Sequence, residues 1–154
     1  LVNVGVIEET GGILLVLRAA EQERLLVIET GVFEGRAIAM EAEGVRAEPP
    51  LTHDLLHDAI IHLGARVREI QIGDLRDNTF FAKVILTKGD GAEPIALDAR
   101  SSDAIAIALR ASAPIYVAEA VMSQASIPED REGRFAELYT EPEPDKPPEG
   151  HIVH

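Results

Sequence analysis

The hydrophobic residues of this chain change their spacing several times, and the order of these spacings limits the folds that the chain can adopt. In the first thirty residues, apolar and polar side chains alternate in three runs, "VNVGVIE", "ILLVLRA" and "RLLVIET", which are separated by turn-forming residues. This alternation predicts three antiparallel strands, because successive side chains of a strand point to opposite faces. The next segment, "VFEGRAIAMEAEG", has helical spacing and ends at Gly44, a residue type that readily closes a helix. It predicts a first helix.

Residues 51–64, "LTHDLLHDAIIHLG", follow a Pro-Pro break and predict a second, amphipathic helix. Its apolar residues recur at helical spacing on one predicted face, which comprises Leu51, Leu55, Ala59, Ile60 and Leu63. Thr52 is the predicted N-cap, because its hydroxyl can accept a hydrogen bond from a free backbone N–H. Asp54 follows in the first turn, where a negative charge favours the helix dipole.

The second half of the chain predicts further strands and contains one ambiguous segment. "RVREIQIGDL" and "TFFAKVILTK" predict strands joined by a turn at Asp77 and Asn78, and "PIALDA" predicts another strand. In "SSDAIAIALRAS" the alternation of Ala and Ile is typical of a strand, whereas Ala and Leu favour a helix. Ser101 or Ser102 as N-cap favours the helix. "PIYVAEAVMSQA" then predicts a short strand followed by a short helix.

Length and composition predict a body and a tail. The 154 residues, 46% of them hydrophobic, suffice for one well-buried core, so a single domain is predicted for residues 1–126. Residues 127–154 contain five of the nine prolines, eight acids and three bases, which predicts an acidic, proline-rich tail. The tail therefore carries −5 of the net charge of −13 and leaves −8 on the body.

This negative charge limits the partners of the chain. Affinity for nucleic acid comes from Lys and Arg side chains that displace counterions, so a nucleic-acid role must rest on a local basic patch or on metal ions. The absence of cysteine excludes disulfides, thiolate catalysis and cysteine-based zinc sites. No apolar run approaches the roughly 18 residues of a membrane span and no basic leader precedes one, so we expect a cytoplasmic protein without a membrane partner.

Two groups of polar residues are candidates for a functional site. His53 and His57 are spaced i, i+4 and could reach one metal ion, although a solvated or partly packed helix face is the simpler interpretation. Asp98, Arg100 and Asp103 lie at a strand end, a turn and the first turn of a helix. Two carboxylates can hold a divalent cation, and an adjacent arginine can bind a phosphate through two hydrogen bonds. The alternative is structural: Asp103 favours the helix dipole, and Arg100 pairs with Asp98 to hold the turn.

Four segments of the chain, in this order, resemble the bifunctional nuclease domain family. They are "PLTHDLL", "DNTFFAKVIL", "LDARSSDAIAIALR" and "APIYVAEAVM", and the resemblance spans about residues 1–125. Four ordered segments are far more specific than any one of them. The resemblance implies cleavage of both DNA and RNA by a single α+β domain. With the elements predicted above, we expect a mostly antiparallel or mixed sheet with about three to four helices packed on it.

The family's polar motifs can be carried over by position. Its Thr-His-Asp block falls on Thr52, His53 and Asp54. Its Asp-Ala-Arg block falls on Asp98, Ala99 and Arg100, and its Ser-Asp pair falls on Ser102 and Asp103.

Three positions depart from the family pattern. Pro49 stands where family members commonly have Arg, which removes one candidate phosphate contact. Ser101 stands where they usually have Pro, and both residue types suit a helix start. Gly35 stands where they commonly have Ala.

The resemblance predicts a nuclease with little sequence preference that is assisted by a metal ion. Mg²⁺ or Mn²⁺ would be held by carboxylates, and the predicted ligands are Asp54, Asp98 and Asp103. His53 would act as general base or acid, and Arg100 would stabilise the charge of the transition state. The predicted catalytic set is His53, Asp54, Asp98, Arg100 and Asp103.

The alternative is a non-catalytic binding or regulatory module, in which the same polar cleft holds an anionic ligand or a protein partner. The negative charge and the 4% aromatic content favour this alternative, because few rings are available to stack on bases. Either function is compatible with a homodimer, for which the strand-rich first thirty residues and the apolar helix 101–111 are the predicted surfaces.

Overall fold

The computed structural model describes residues 2–9, 12–19, 23–89 and 91–128. Its strands are β1 (Val2–Glu9), β2 (Gly12–Ala19), β3 (Arg24–Thr30), β4 (Arg66–Arg76), β5 (Thr79–Thr87), β6 (Ile95–Arg100), β7 (Ile115–Val117) and β8 (Ile127–Pro128). Its helices are α1 (Val32–Ala42), α2 (Thr52–His62), α3 (Ser101–Ala111) and α4 (Glu119–Ala125). In the described part of the chain, no helix is both long and apolar enough to cross a membrane.

The strands form two four-stranded sheets. In the first sheet the order is β1-β2-β3-β8 and all neighbours are antiparallel; in the second the order is β6-β5-β4-β7, and only β7 runs parallel to its neighbour β4. The predicted α+β fold with mostly antiparallel or mixed pairing is thus confirmed, with the strands divided between two sheets. Strand β8 lies within the predicted tail and pairs with β3. Residues 129–154 of that tail lie outside the described residues.

Helix α3 lies in the hydrophobic core, packed on β4, β5 and β6 of the second sheet and against α1 and α2. The core joins apolar residues of both sheets, among them Leu15 and Ile70, to those of the helices. Every residue of α3 from Ala104 to Ala108 is buried, as are Ser101 and Ser102 at its start. A helix that is apolar all round must be buried on all sides, and this explains the alternation of Ala and Ile that made the segment ambiguous.

The helix C-termini agree with the sequence prediction, whereas the N-caps do not. Gly44 and Gly64 follow α1 and α2 with positive φ values of 70° and 76°, a conformation that glycine adopts at little cost. The N-cap of α2 is Leu51 rather than Thr52, because the Asp54 carboxylate accepts a hydrogen bond from the Leu51 N–H at 2.7 Å. This carboxylate caps the helix from inside its first turn, so a hydroxyl at the start is not required.

The orientation of α2 differs from the one that its apolar pattern predicts, because Ile60 is the one buried residue of the predicted apolar face. Leu55 and Leu63 are 65% and 72% exposed. The inward side carries His53 and Asp54, whose side chains meet polar groups of the buried helix α3. Hydrogen bonds to α3 therefore decide which side of α2 faces the core, and they leave a stripe of leucines exposed.

Helix α1 packs directly on strand β2. A Cβ atom at Gly35 would lie 2.5 Å from the Ile13 Cβ, which is closer than real Cβ contacts. The absence of a side chain at this position therefore allows the backbone of α1 to approach the sheet. Gly35 is one of the three departures from the family pattern, and the structure gives it a packing reason.

Candidate functional site

Four polar side chains form one hydrogen-bonded group, which we call the Arg100 cluster: Glu34, His53, Arg100 and Asp103. His53 Nε2 lies 2.9 Å from Asp103 Oδ1. Arg100 Nε donates to Asp103 Oδ2 at 2.7 Å, and Arg100 Nη2 donates to Asp103 Oδ1 at 3.1 Å. The same Nη2 also donates to Glu34 Oε1 at 2.8 Å. The arginine thus binds two carboxylates, and one of these also holds the histidine.

The cluster forms where the N-termini of three helices converge. Glu34, His53 and Asp103 lie in the first turns of α1, α2 and α3, and Arg100 is the N-cap residue of α3 at the end of strand β6. The first turn of a helix has free backbone N–H groups and a partial positive charge, which explains the two carboxylates among these residues. The same features, together with the guanidinium, suit the binding of an anion such as a phosphate group.

The charges of the cluster stabilise one another. Burial by itself raises the pKa of Asp103, but the hydrogen bonds from Arg100 and His53 outweigh it and hold that pKa below its ordinary value. The hydrogen bonds and charges of Asp103 and Glu34 raise the pKa of Arg100 above its ordinary value. At neutral pH the Asp103 carboxylate is therefore ionised beside a permanently charged guanidinium.

Two nitrogens of the cluster, His53 Nδ1 and Arg100 Nη1, take no part in its hydrogen bonds, and the His53 side chain is 12% exposed. An ionised carboxylate can only accept hydrogen bonds, so Asp103 holds a hydrogen on His53 Nε2 and leaves Nδ1 as the basic nitrogen in the neutral ring. The Arg100 side chain is 64% exposed. Its Nη1 has no hydrogen-bond partner among the described residues, so its two N–H groups remain available to an oxyanion.

An open groove of about 620 Å³ reaches the cluster from one side. It is lined by Arg100, by Ser101 and Ser102 of α3, by the end of β3 and by the turn between β4 and β5. That turn has positive φ values of 48° at Asp77 and 58° at Asn78, as the sequence predicted. The groove gives the exposed guanidinium a solvent-accessible approach.

Asp54, a predicted catalytic residue and metal ligand, has different partners. Its Oδ1 accepts a hydrogen bond from Arg110 Nε at 2.6 Å, and Arg110, whose side chain is only 5% exposed, also donates to the backbone oxygens of Ala106 and Ala37. Burial by itself raises the pKa of Asp54, but the hydrogen bonds from Arg110 and from the Leu51 N–H outweigh this effect. The pKa of Asp54 therefore lies below its ordinary value. Asp54 thus joins α2 to α3 and α1 next to His53.

Asp98 is the predicted site residue that lies apart from these contacts. It is exposed on β6, opposite Lys83 of β5, and it lines a different groove from the one described above. Arg100 pairs with Asp103 and Glu34 rather than with Asp98. The proposed Asp98–Arg100 pair that would hold the turn is therefore absent from the described contacts.

The predicted metal ligands do not form one donor set. Asp54 is bound by Arg110, Asp103 by Arg100 and His53, and Asp98 faces another groove. Among the side chains that the structure describes, those of residues 12–19, 23–89 and 91–128, no three His, Asp or Glu residues are grouped so that they could hold a metal ion. The arrangement does not fit a metal ion shared by these three aspartates, and the use of Mg²⁺ or Mn²⁺ stays a prediction.

The other histidines of α2 are not part of the cluster. His57 lines a small cavity of about 70 Å³ beside Asp54 and Arg110. The exposed His62 Nδ1 bonds to the Asp58 backbone oxygen at 2.7 Å. The i, i+4 spacing of His53 and His57 therefore does not create a histidine pair around a common ligand.

Sequence reasoning missed two partners, Glu34 and Arg110. The contact of Glu34 with Arg100 spans 66 positions of the chain, a separation that no local spacing records. Arg110 lies in the last turn of α3, where a cation is favourable to the helix dipole without any further role. The remaining signal for Arg110 is a charged residue near the end of an otherwise apolar helix.

The chain is similar to known proteins over most of its length. Residues 15–130, which include every member of the Arg100 cluster, match the family model described as Bifunctional nuclease domain. The chain is 42% identical over 134 residues to two Mycobacterium tuberculosis proteins, from strains CDC 1551 and H37Rv, that are described as uncharacterized; each match covers 86% of this chain and 79% of the relative. It is 32% identical over 74 residues to Bifunctional nuclease 2 of Arabidopsis thaliana, a match that covers 47% of this chain and 22% of the plant protein.

Proposed function

This chain belongs to the bifunctional nuclease domain family, and on that premise we propose that it cleaves phosphodiester bonds of DNA and RNA at the Arg100 cluster. The observation that carries the proposal is the set of bonds by which Asp103 holds both His53 and Arg100 at the convergence of three helix N-termini. This arrangement combines a titratable base, an exposed cation and an oriented positive field in a few residues.

In the proposed reaction, a water molecule attacks the phosphorus atom. His53 takes the proton of the water through Nδ1, while Asp103 orients the ring through Nε2 and stabilises the imidazolium that forms. The free N–H groups of Arg100 bind a non-bridging phosphate oxygen and stabilise its growing charge. The bond from phosphorus to the leaving-group oxygen breaks, and solvent supplies the proton for that oxygen.

Glu34 has a positioning role in this proposal. Its bond to Arg100 Nη2, which also donates to Asp103, helps to fix the guanidinium and leaves Nη1 to bind the ligand. The groups named here contact only phosphate, which DNA and RNA share. This accounts for the action on both nucleic acids with little preference for sequence.

The predicted divalent cation is kept as a separate proposal, because Asp54, Asp98 and Asp103 do not form one donor set. Its test is cleavage by the full chain in excess EDTA, followed by addition of Mg²⁺ or Mn²⁺. Loss in EDTA and recovery with either ion would support metal use. Full activity in EDTA would remove the metal from the mechanism.

The proposal is tested by substituting His53 beside a matched histidine of the same helix. We expect His53→Ala to lower the cleavage rates of single-stranded DNA and RNA together, by about a hundredfold or more, because a general base is lost. His57→Ala is the control and should remain near wild type, since His57 is outside the cluster. All proteins are purified in parallel, so that a contaminating nuclease would show as equal activity in each.

A folded His53→Ala protein with wild-type cleavage would contradict the proposal. Two observations support the alternative of a non-catalytic binding module. Arg100 already pairs with two carboxylates, and the chain has a net charge of −13. It predicts ligand binding that depends on Arg100 in a wild-type protein that does not cleave nucleic acid. Melting temperatures of the same preparations separate a loss of folding from a loss of chemistry.

A further inference from the structure

A groove larger than the two described above lies on the outer face of the second sheet. Its volume is about 760 Å³, and it is lined by β4, β5 and β6. Along β5 the side chains of Ala82 and Val84 are buried in the core, whereas Phe81 and Lys83, which alternate with them, are exposed. The groove is therefore formed by the face of the sheet that does not pack on the core.

The balance of charged residues in this groove differs from that in the two cavities described above. Its cations are Arg76, Lys83 and Arg100, against two carboxylates, Asp74 and Asp98. By contrast, the groove of 620 Å³ has one arginine and one glutamate, and the cavity of 70 Å³ has two arginines and three carboxylates. Among these three, it is the one in which cations outnumber carboxylates, although the chain carries −13. Arg76 is paired with Asp74 at 2.8 Å, and Arg100 with Glu34 and Asp103. The exposed parts of these arginines and Lys83 are the groups that the phosphates of a nucleic acid would contact.

Phe81 gives this groove a surface on which bases can stack. The consecutive Phe80 and Phe81 point to opposite faces, so that Phe80 packs against the core while Phe81 remains 39% exposed. The guanidinium carbon of Arg76 lies 4.2 Å from the centre of the Phe81 ring, at a distance typical of cation–π contact. Aromatic rings and arginine planes are the groups on which unpaired bases stack in proteins that bind single strands.

We propose that this outer face binds a single-stranded segment of DNA or RNA, with bases stacked on Phe81 and Arg76 and phosphates beside Lys83. The inference deepens the proposed function and rests on it, because Arg100 lines this groove and also belongs to the catalytic cluster. A strand bound here leads its backbone to the exposed guanidinium. Unpaired nucleotides are the expected ligand, since the faces of bases in a duplex are covered by their neighbours.

The test measures binding apart from cleavage. Fluorescence anisotropy of labelled oligothymidylate and oligouridylate is recorded at low salt with the full chain carrying His53→Ala, so that the strand stays intact. We expect Phe81→Leu to weaken binding by about five- to a hundredfold and Phe81→Trp to preserve it, because only Trp keeps a stacking ring. Lys83→Ala should weaken binding and reduce its salt dependence.

Two substitutions outside the groove are the matched controls. Phe33 is 88% exposed on α1, and Lys88 follows β5. We expect Phe33→Leu and Lys88→Ala to bind as the parent does, with melting temperatures recorded for every protein. A duplex of the same sequence should bind more weakly than the single strand.

Each outcome decides between the two proposals. Unchanged binding by Phe81→Leu, an equal loss in Phe33→Leu, or no binding by the parent protein would overturn this inference even if the wild-type chain cleaves nucleic acid. Binding that depends on Phe81, combined with a wild-type chain that does not cleave either nucleic acid, would leave this inference standing and remove the proposed catalytic function.

Discussion

Asp103 is the residue on which the candidate site depends most directly, because its two oxygens hold His53 and Arg100 at once. Its pKa lies below the ordinary value, so near pH 4 the folded chain binds fewer protons at this group than the unfolded chain. The stabilisation is therefore complete above the ordinary pKa and is lost as the pH falls through the lowered value.

The pH dependence of stability tests this role. We expect Asp103→Asn to lower the free energy of unfolding at neutral pH by about 1 to 3 kcal/mol, because charged hydrogen bonds are lost. The variant should also lose less stability than wild type between about pH 5 and pH 2. Denaturant unfolding at a series of pH values measures both. The control is Asp98→Asn, an exposed carboxylate on β6, and an acid dependence of Asp103→Asn equal to that of wild type would contradict the assignment.

Gly35 is the second residue with a specific consequence, through the close approach of α1 to β2. A Cβ atom there would lie 2.5 Å from both Cβ and Cδ1 of Ile13. We expect Gly35→Ala to destabilise the fold by about 1 to 3 kcal/mol, because the helix must move away from the sheet. The control is Gly73→Ala, since a Cβ there has no neighbour within 4 Å. Equal melting temperatures for the two variants would contradict this packing argument.

Among the elements, α2 differs most from what its own sequence indicates. Its polar residues face inward because α3 offers them Asp103 and Arg110 as partners. Each of these hydrogen bonds has a charged partner, and charge-assisted hydrogen bonds are the strong ones. Arg110 extends this connection to α1 through the Ala37 backbone oxygen. The contacts of three helices thus determine the position of His53 relative to Asp103.

The predicted homodimer can be tested at this element. Helix α3 is buried in the core and cannot supply the surface that we expected from it. The exposed stripe of α2 consists of Leu55, Ala59 and Leu63, which are spaced i, i+4, i+8 and carry no charge. Two copies of the chain present the same stripe. Antiparallel pairing of α2 with its copy would therefore bury the stripe of each chain.

We therefore expect light scattering to give twice 16.6 kDa for the full chain and 16.6 kDa for the double variant Leu55→Glu, Leu63→Glu. The control Phe33→Ser removes an exposed apolar residue of α1 and should leave the mass of the dimer unchanged. A dimer that persists in the double variant would exclude this surface.

At the scale of the whole molecule, the described fold ends at strand β8, where Ile127 and Pro128 pair with β3 and Arg24 donates to the Ser126 hydroxyl at 2.6 Å. The family match also ends nearby, at residue 130. The remaining residues 129–154 contain eight acids and three bases and so carry −5. Their removal changes the charge of the molecule far more than its described contacts.

We expect a chain truncated after Pro128 to keep the melting temperature of the full chain. It should also bind single-stranded nucleic acid more tightly at low salt, because a net charge of −5 that repels the phosphates is removed. The difference should disappear at about 1 M salt, where charges are screened over roughly 3 Å. A marked loss of melting temperature would show that the removed segment contributes to the fold. Unchanged affinity at low salt would show that its charge has no effect on binding.

The sequence by itself determined the features that depend on neighbouring residues. Period-two and helical spacings predicted α1, α2, α4 and all strands except β8, because these conformations are set within a few residues. Asp77, Asn78, Gly44 and Gly64 marked turns and helix ends. The spacing of α3 was ambiguous, and its N-cap is Arg100 rather than the expected Ser101 or Ser102. The ordered segments also identified the family, which the match over residues 15–130 confirms.

The tertiary structure alone decided which polar groups meet. The pairing of Arg100 with Glu34 rather than Asp98, the capture of Asp54 by Arg110, and the inward turn of the polar side of α2 each join residues far apart in the chain. Hydrophobic spacing records which side of a helix is apolar, but it carries no information about the partner that the other side will meet. That partner depends on the packing of α1, α2 and α3 against one another, and hydrogen bonds between charged groups in a partly buried site can then outweigh the burial of leucines.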